Sequence, residues 1–194
     1  APLLASFMAT HPKVRVELTL NDLTLDPAQS MDDVSLRVGT IESGDFVARP
    51  LETIGTMLCA SPRYLSRRAS PTTPEALAGH DCLQYRYAGS NGRWRLSRGA
   101  EHLNLDVQPL AVSNDILAIR ELAVQDRGIA LLPRPLIADE RDAGRLVQVL
   151  PQWGGEEVWV YLVYSQARHL PRRARAFVDY LLKAIAAHPM RVAS

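Results

Sequence analysis

Lysine is almost absent from this sequence: of its 22 Lys and Arg residues, only Lys13 and Lys183 are lysines. No basic run or basic tail occurs, and the formal net charge is +1. The chain therefore lacks the electrostatic footprint of a nucleic-acid-binding surface. It also lacks an apolar run near the roughly 20 residues of a membrane-spanning helix, and its start lacks the basic and apolar regions of a signal peptide. We therefore expect no membrane segment and a cytoplasmic location.

Cysteine is also scarce, and the recognised catalytic motifs are missing. Cys59 and Cys82 lie far apart without metal-ligand spacing, so we expect two buried thiols in a reducing compartment and no metal site. No dinucleotide-binding glycine motif, phosphate-binding loop, HExxH motif or GxSxG motif occurs. His80 and Cys82 would share one face of a strand with backbones roughly 6.6 Å apart, which is poor geometry for a hydrogen-bonded dyad. We therefore expect no catalysis and no cofactor.

The sequence instead contains alternating helical and strand patterns. Residues 2–10 have helical spacing, and apolar and polar residues alternate from Val14 to Leu20, which predicts a half-buried strand. A long strand is predicted from Phe46 to Ala60, interrupted by a proline and a glycine. Ser90-Asn91-Gly92 predicts a hairpin turn between the strand ending at Tyr85 and the segment around Trp94. Further strands are predicted at 34–38, 82–85, 103–107, 146–150 and 157–164, and further helices at 135–143 and 171–187.

The stretch from Ser113 to Pro133 is the most informative local pattern. Ser113, Asn114 and Asp115 are strong N-cap residues, and the apolar spacing after them predicts a helix. Gly128 is placed as the left-handed residue that ends this helix, and the apolar run after it predicts a buried strand. Small polar ligands bind at such helix starts in open α/β sheets. The stretch is therefore either a ligand-binding helix start or simply a capped helix.

Strands that alternate with helices predict an α/β protein with a mostly parallel sheet. Two long strands, ending near Ala60 and Tyr164, bracket the middle of the chain. The simplest arrangement has two Rossmann-like lobes, with 1–59 and 164–194 in the first and 60–163 in the second. A ligand would then bind in the cleft between the lobes, where strand carboxyl ends and helix starts meet.

Seven short motifs carry a resemblance that runs over nearly the whole chain. They are DVSLRVG at 33–39, ARPL at 48–51, CASPRYL at 59–65, HDCL at 80–83, GIALLP at 128–133, GRLV at 144–147 and RAFVD at 175–179. In this order and spacing, they resemble the effector-binding domain of LysR-type transcriptional regulators. The resemblance implies a two-lobed domain with a type 2 periplasmic-binding-protein-like fold that senses a small-molecule effector.

The resemblance also implies what surrounds this domain. Such regulators carry an N-terminal winged helix-turn-helix and a linker helix, which this sequence does not contain, and the first strand of the sensor lobe is also expected upstream. DNA binding would then belong to the parent protein, and the expected partner is a second copy of the chain in a homodimer or homotetramer. The first helix, residues 14–20 and the helix from Asp115 to Arg127 are the expected contact surfaces. A solute-binding protein of a transporter is the alternative, and it would need a secretory signal or lipid anchor upstream.

By the same resemblance, six residues match the family's effector pocket: Thr40, Ser61, Tyr85, Ser113, Asn114 and Asp115. Each also has a structural interpretation, such as a loop-stabilising hydroxyl for Thr40, a plain N-cap for Ser61 and a half-buried strand tyrosine for Tyr85. Arg93 and Arg95 are expected on solvated surface.

Overall fold

The structure is a computed structural model that describes residues 2–20, 32–39, 41, 44–86, 92–166 and 170–187. Its contacts divide the chain into unit 1, Ala1–Thr53 with Val158–Arg191, and unit 2, essentially Ile54–Glu157. We predicted boundaries at 59/60 and 163/164, near the ends of two long strands. The division falls inside those strands, at 53/54 and 157/158, because each strand is continuous and contributes residues to both units.

The elements alternate along the chain. The helices are α1 Pro2–Thr10, α2 Pro62–Arg67, α3 Ile116–Val124, α4 Ala138–Asp142 and α5 Arg172–Ala187, with 3-10 turns at Pro74–Gly79 and Arg134–Ile137. The strands are β1 Ser35–Val38, β2 Phe46–Ala60, β3 Cys82–Tyr85, β4 Arg93–Arg98, β5 Glu101–Asp106, β6 Pro109–Ser113, β7 Ile129–Pro133, β8 Val147–Gln148 and β9 Gly154–Ser165. None of the helices in the described ranges is long and apolar enough to cross a bilayer.

The strands of unit 2 form a mixed sheet. β3 runs parallel to β6, with Tyr85 opposite Ser113, and parallel to β7, with Leu83 opposite Ala130. β2 runs antiparallel to β7, with Cys59 also opposite Ala130. The prediction of a mostly parallel sheet is therefore wrong, because alternation of helices and strands does not fix the direction of the long strands. As a result, β2 ends where β3, β6 and β7 begin.

The core of unit 2 positions α3 against this sheet. Met57 and Cys59 of β2 lie in one buried cluster with Ile119 of α3, whereas Leu58 and Ala60 lie in the other. This alternation is that of a strand buried on both faces. Because α3 directly follows β6 and packs on β3, β6 and β7, its start is held near the carboxyl ends of β3 and β6.

In unit 1, α1 and α5 pack through Phe7, which is 1% exposed and whose ring centroid lies 5.1 Å from that of Phe177. β1 pairs antiparallel with β9, and Leu162 of β9 packs against Val178 and Leu181 of α5. The helices predicted at 2–10 and 171–187 are therefore confirmed as α1 and, from Arg172 onward, α5.

The strand predicted from Val14 to Leu20 is not formed. The segment has no regular structure, and Leu18 and Leu20 are 67% and 89% exposed. No strand in the described part of the chain pairs with it. Alternation produces a strand only where a neighbour completes the hydrogen-bond ladder and a core covers one face, and the described residues provide neither.

The predicted role of Gly128 is also wrong. Asp126, with φ 62°, takes the left-handed position after α3. Gly128 has φ 156° and starts β7 against the backbone of Asp81, where a Cβ would overlap the carbonyl oxygen. The glycine is required by a close approach of two chain segments rather than by the end of the helix.

The two strands that flank the hairpin predicted between Tyr85 and Trp94 do not pair with each other among the described residues. β3 pairs with β6 and β7, whereas β4 pairs with β5 across a turn at Gly99, which has φ 60°. The predicted turn residues Ser90 and Asn91 lie outside the described residues. A turn pattern by itself does not determine which strands pair, and in the described chain β4 pairs with β5.

Candidate functional site

Four of the six predicted site residues meet at the carboxyl ends of β3 and β6. Tyr85 is the last residue of β3 and lies opposite Ser113, the last residue of β6, in the parallel register. Asn114 and Asp115 follow directly and lead into α3. The backbone N–H of Arg86 donates to the Ser113 carbonyl at 2.9 Å, so the two strand ends remain joined one residue further. This is the position where ligands bind in open α/β sheets.

Short polar side chains organise the start of α3. Asp115 is the N-cap, and its Oδ1 accepts from the backbone N–H of Leu117 at 2.8 Å. The Ser113 Oγ accepts from the backbone N–H of Asp115 at 3.0 Å. The N-cap bond satisfies one of the free donors of the first helical turn. Because Ser113 Oγ acts as an acceptor in this bond, its own hydroxyl hydrogen remains available to a ligand oxygen.

Arg86 is a site residue that sequence reasoning missed. Its side chain is exposed, and its guanidinium makes no hydrogen bond or ion pair with another residue of the described ranges. Its backbone is hydrogen-bonded to that of Ser113, the residue before Asn114, and the side chains of Arg86 and Asn114 are both exposed. The signal was its position directly after Tyr85, because the residue that follows a parallel strand projects at the strand's carboxyl end.

Ser61 does not join this group. It follows β2, which ends where β3, β6 and β7 begin, at the opposite end of the parallel strands. Its Oγ accepts from the backbone N–H of Tyr64 at 3.0 Å and donates to Asp126 Oδ1 at 2.7 Å. The side chain is 3% exposed, so its hydroxyl acts as the N-cap of α2 and ties α2 to the segment after α3.

Three further positions named from the sequence are Thr40, Arg93 and Arg95. Thr40 lies outside the described residues. Arg93 and Arg95 are exposed on β4 and pair with acidic neighbours, Arg93 Nε with Asp106 Oδ1 at 2.6 Å and Arg95 Nη1 with Glu156 Oε2 at 3.5 Å.

The thiols and His80 form no reactive arrangement. Burial raises the pKa of the Cys59 thiol to about 12, and burial with the nearby Asp81 raises the pKa of Cys82 to about 12. Cys82 Sγ donates to the Leu77 carbonyl at 3.6 Å, while His80 Nδ1 lies 3.2 Å from the Tyr64 hydroxyl. Thiols held protonated at neutral pH are poor nucleophiles. Among the residues that the structure describes, no three His, Cys, Asp or Glu side chains cluster as a metal site would require.

Sequence comparisons point to one family. The model of the LysR substrate binding domain matches residues 1–186. The chain is 33% identical over 171 residues to an uncharacterized HTH-type transcriptional regulator of Haemophilus influenzae, covering 88% of this chain and 59% of that relative. It is 29% identical over 189 residues to the HTH-type transcriptional regulator PtxR of Pseudomonas aeruginosa, covering 97% and 61%. The chain thus spans 59–61% of the length of these two relatives.

Comparison with solved structures points to the same family as the sequence comparisons. The regulatory domain of AphB from Vibrio vulnificus has a TM-score of 0.81 at 29% identity, and coverage is 94% of this chain and 90% of that one. The regulatory domain of CrgA, a LysR-type transcriptional regulator from Neisseria meningitidis, has a TM-score of 0.84 at 27% identity, with the same coverage. These neighbours confirm the predicted fold class, the type 2 periplasmic-binding-protein-like fold. The chain therefore belongs to the family of LysR substrate-binding domains, the regulatory domains of LysR-type transcriptional regulators.

Proposed function

We propose that this chain is the effector-sensing domain of a cytoplasmic transcriptional regulator and binds a small polar or carboxylated molecule at the candidate site. The observation that carries the proposal is the meeting of Tyr85, Ser113 and Asn114 at the carboxyl ends of two parallel strands, beside the start of α3. The relatives are HTH-type transcriptional regulators, which favours this function over a transporter's solute-binding protein. DNA binding belongs to other parts of the parent protein.

The groups at the site favour a ligand rich in oxygen atoms. The Ser113 hydroxyl hydrogen, the Asn114 amide and the Arg86 guanidinium supply donors, and only Arg86 brings a positive charge. The Asp115 carboxylate is directed to the first turn of α3 through its bond to Leu117. A carboxylate of the effector would pair with Arg86, because a guanidinium matches a carboxylate in charge and shape.

The signal would pass to DNA through a second copy of the chain. An effector changes an equilibrium only by binding one arrangement more tightly than another, and we propose that the arrangement is that of a homodimer or homotetramer. Exposed apolar side chains support such contacts, among them Val16 and Leu18 in unit 1 and Leu117 on α3 in unit 2. A monomer in light scattering at high protein concentration would contradict this part of the proposal.

A thermal-shift screen tests the binding function directly. The purified chain is melted with small carboxylates, amino acids, aromatics and oxyanions. A ligand at about one hundred times its dissociation constant adds about 2.7 kcal/mol to the free energy of unfolding, which raises the melting temperature by roughly 5–10 °C for a chain of this size. A hit confined to one chemical class identifies the effector class.

Paired asparagine substitutions then locate the binding site. Asn114→Ala is expected to abolish the shift, whereas Asn104→Ala, the same change on the exposed strand β5, is expected to leave it intact. Thr40→Ala, at the position predicted from sequence alone, is measured in the same series. A ligand shift that survives Asn114→Ala unchanged would remove the candidate site from the proposal.

A further inference from the structure

A separate cavity of about 270 Å³ lies in unit 2. Its wall includes Tyr64 and Arg67 of α2 and Arg68 directly after that helix. Asp81 before β3 and Arg127 before β7 form most of the remaining wall. These residues lie at the amino ends of the parallel strands. In a set of parallel strands, all amino ends lie at one edge and all carboxyl ends lie at the opposite edge. The cavity is therefore distinct from the candidate effector site, which lies at the carboxyl ends.

The two carboxylates at the cavity already have partners within the protein. Asp126 accepts from the Ser61 hydroxyl at 2.7 Å and lies 3.5 Å from Arg63 Nε. Asp81 Oδ2 lies 3.8 Å from Arg68 Nη2 and 3.5 Å from the Tyr64 hydroxyl. Their negative charge is therefore largely matched by groups of the chain itself.

The arginines, in contrast, keep most of their donors. Arg67 Nη2 donates to the backbone carbonyl of Asp126 at 3.1 Å and makes no ion pair with any described residue. The backbone N–H of Arg127 donates to the Leu122 carbonyl at 3.0 Å, but its side chain makes no hydrogen bond or ion pair within the described ranges. Arg68 donates to the Gly79 carbonyl at 3.2 Å in addition to its pair with Asp81. Each guanidinium carries five N–H donors in a planar fork, so the three arginines that line the cavity keep donors with no acceptor among the described residues.

We propose that this cavity is a second ligand site that takes a small oxyanion such as inorganic phosphate, with Arg67, Arg68 and Arg127 as its donors. Three arginines and two carboxylates border it, so it carries one net positive charge before a ligand binds. Its volume is below the range of about 300–1,000 Å³ typical of sites for drug-sized ligands, which fits a small anion. Guanidinium forks bind tetrahedral oxyanions through paired N–H donors.

The test is calorimetric titration of inorganic phosphate into the purified chain, with ionic strength held constant by chloride. We expect a saturable one-site isotherm and competition by sulfate, another tetrahedral oxyanion. Arg127→Ala is expected to weaken binding at least tenfold without changing the melting temperature, because the exposed side chain has no partner in the described ranges and alanine keeps the backbone hydrogen bond to Leu122. Arg95→Ala is the matched control, since it removes the same charge from exposed strand β4, where the side chain is 57% exposed.

The outcomes separate this site from general charge effects and from the effector site. Non-saturable heats, or equal weakening by Arg95→Ala and Arg127→Ala, would overturn the proposal. Loss of phosphate binding in Asn114→Ala would move the anion to the effector site and would also overturn it. Phosphate binding that survives Asn114→Ala but not Arg127→Ala supports a second site, whatever the effector screen yields.

Discussion

Gly128→Ala is a substitution that places a new Cβ against backbone atoms, which cannot turn aside as a side chain can. A Cβ at this position would overlap the backbone carbonyl oxygen of Asp81 and lie 2.9 Å from its carbon. That same oxygen accepts from the backbone N–H of Ile129 at 2.8 Å, at the start of β7. The two segments can separate only if this hydrogen bond is lost or distorted.

The cost follows from those two contributions. A backbone strained by a Cβ at φ 156° costs on the order of 1–3 kcal/mol, and a lost backbone hydrogen bond costs about 1 kcal/mol. We therefore expect Gly128→Ala to lower the free energy of unfolding by about 2–4 kcal/mol. For a chain of this size, a loss of about 3 kcal/mol lowers the melting temperature by roughly 6–12 °C.

Thermal and urea denaturation of two glycine variants measure this loss. Gly79→Ala is the control, because nothing lies within 4 Å of the added Cβ and the backbone there is not left-handed. We expect the control to stay within about 0.5 kcal/mol of the unchanged protein. Equal stability of the two variants would refute the close approach of Gly128 to Asp81.

Three further substitutions or conditions have definite expected results. Ser61→Ala removes the α2 cap and the bond to Asp126, so we expect the free energy of unfolding to fall by about 2–3 kcal/mol in denaturation. The effector-induced shift in melting temperature should be unchanged. Unchanged stability with a lost effector shift would instead indicate that Ser61 contacts the ligand. Burial raises the pKa of Cys59 and Cys82 from 9.0 to about 12, so their contribution to stability is fully present below pH 9 and is lost as the pH rises toward 12. Between pH 9 and 12, each thiol lowers the free energy of unfolding by about 1.4 kcal/mol per pH unit. We therefore expect the stability of Cys59→Ala and Cys82→Ala to fall less steeply above pH 9 than that of the unchanged protein. Parallel curves of stability against pH would contradict this. Leu117→Glu, at a side chain 49% exposed on α3, is expected to lower the mass measured by light scattering without lowering the melting temperature; an unchanged oligomer mass would exclude this face from the interface.

The sequence alone determined the features that depend on neighbouring residues. Ser61 and Asp115 cap α2 and α3 as expected, because a short side-chain oxygen needs only the N–H groups two or three residues ahead. The long strand from Phe46 to Ala60 and the apolar strand β7 follow from side-chain patterning within each segment. The family resemblance likewise rested on short local motifs in a fixed order.

Tertiary structure decided which elements meet. Val14–Leu20 has the pattern of a strand but no pairing strand in the described chain, and Gly128 is required by Asp81, a residue far from it in sequence. The antiparallel direction of β2 placed Ser61 at the amino ends of the parallel strands, away from Tyr85 and Ser113. Strand direction and pairing depend on contacts between residues far apart in sequence, which no local pattern records. The same pairing that assembled the candidate effector site therefore also created the arginine-lined cavity at the opposite end of the strands, which the sequence alone did not reveal.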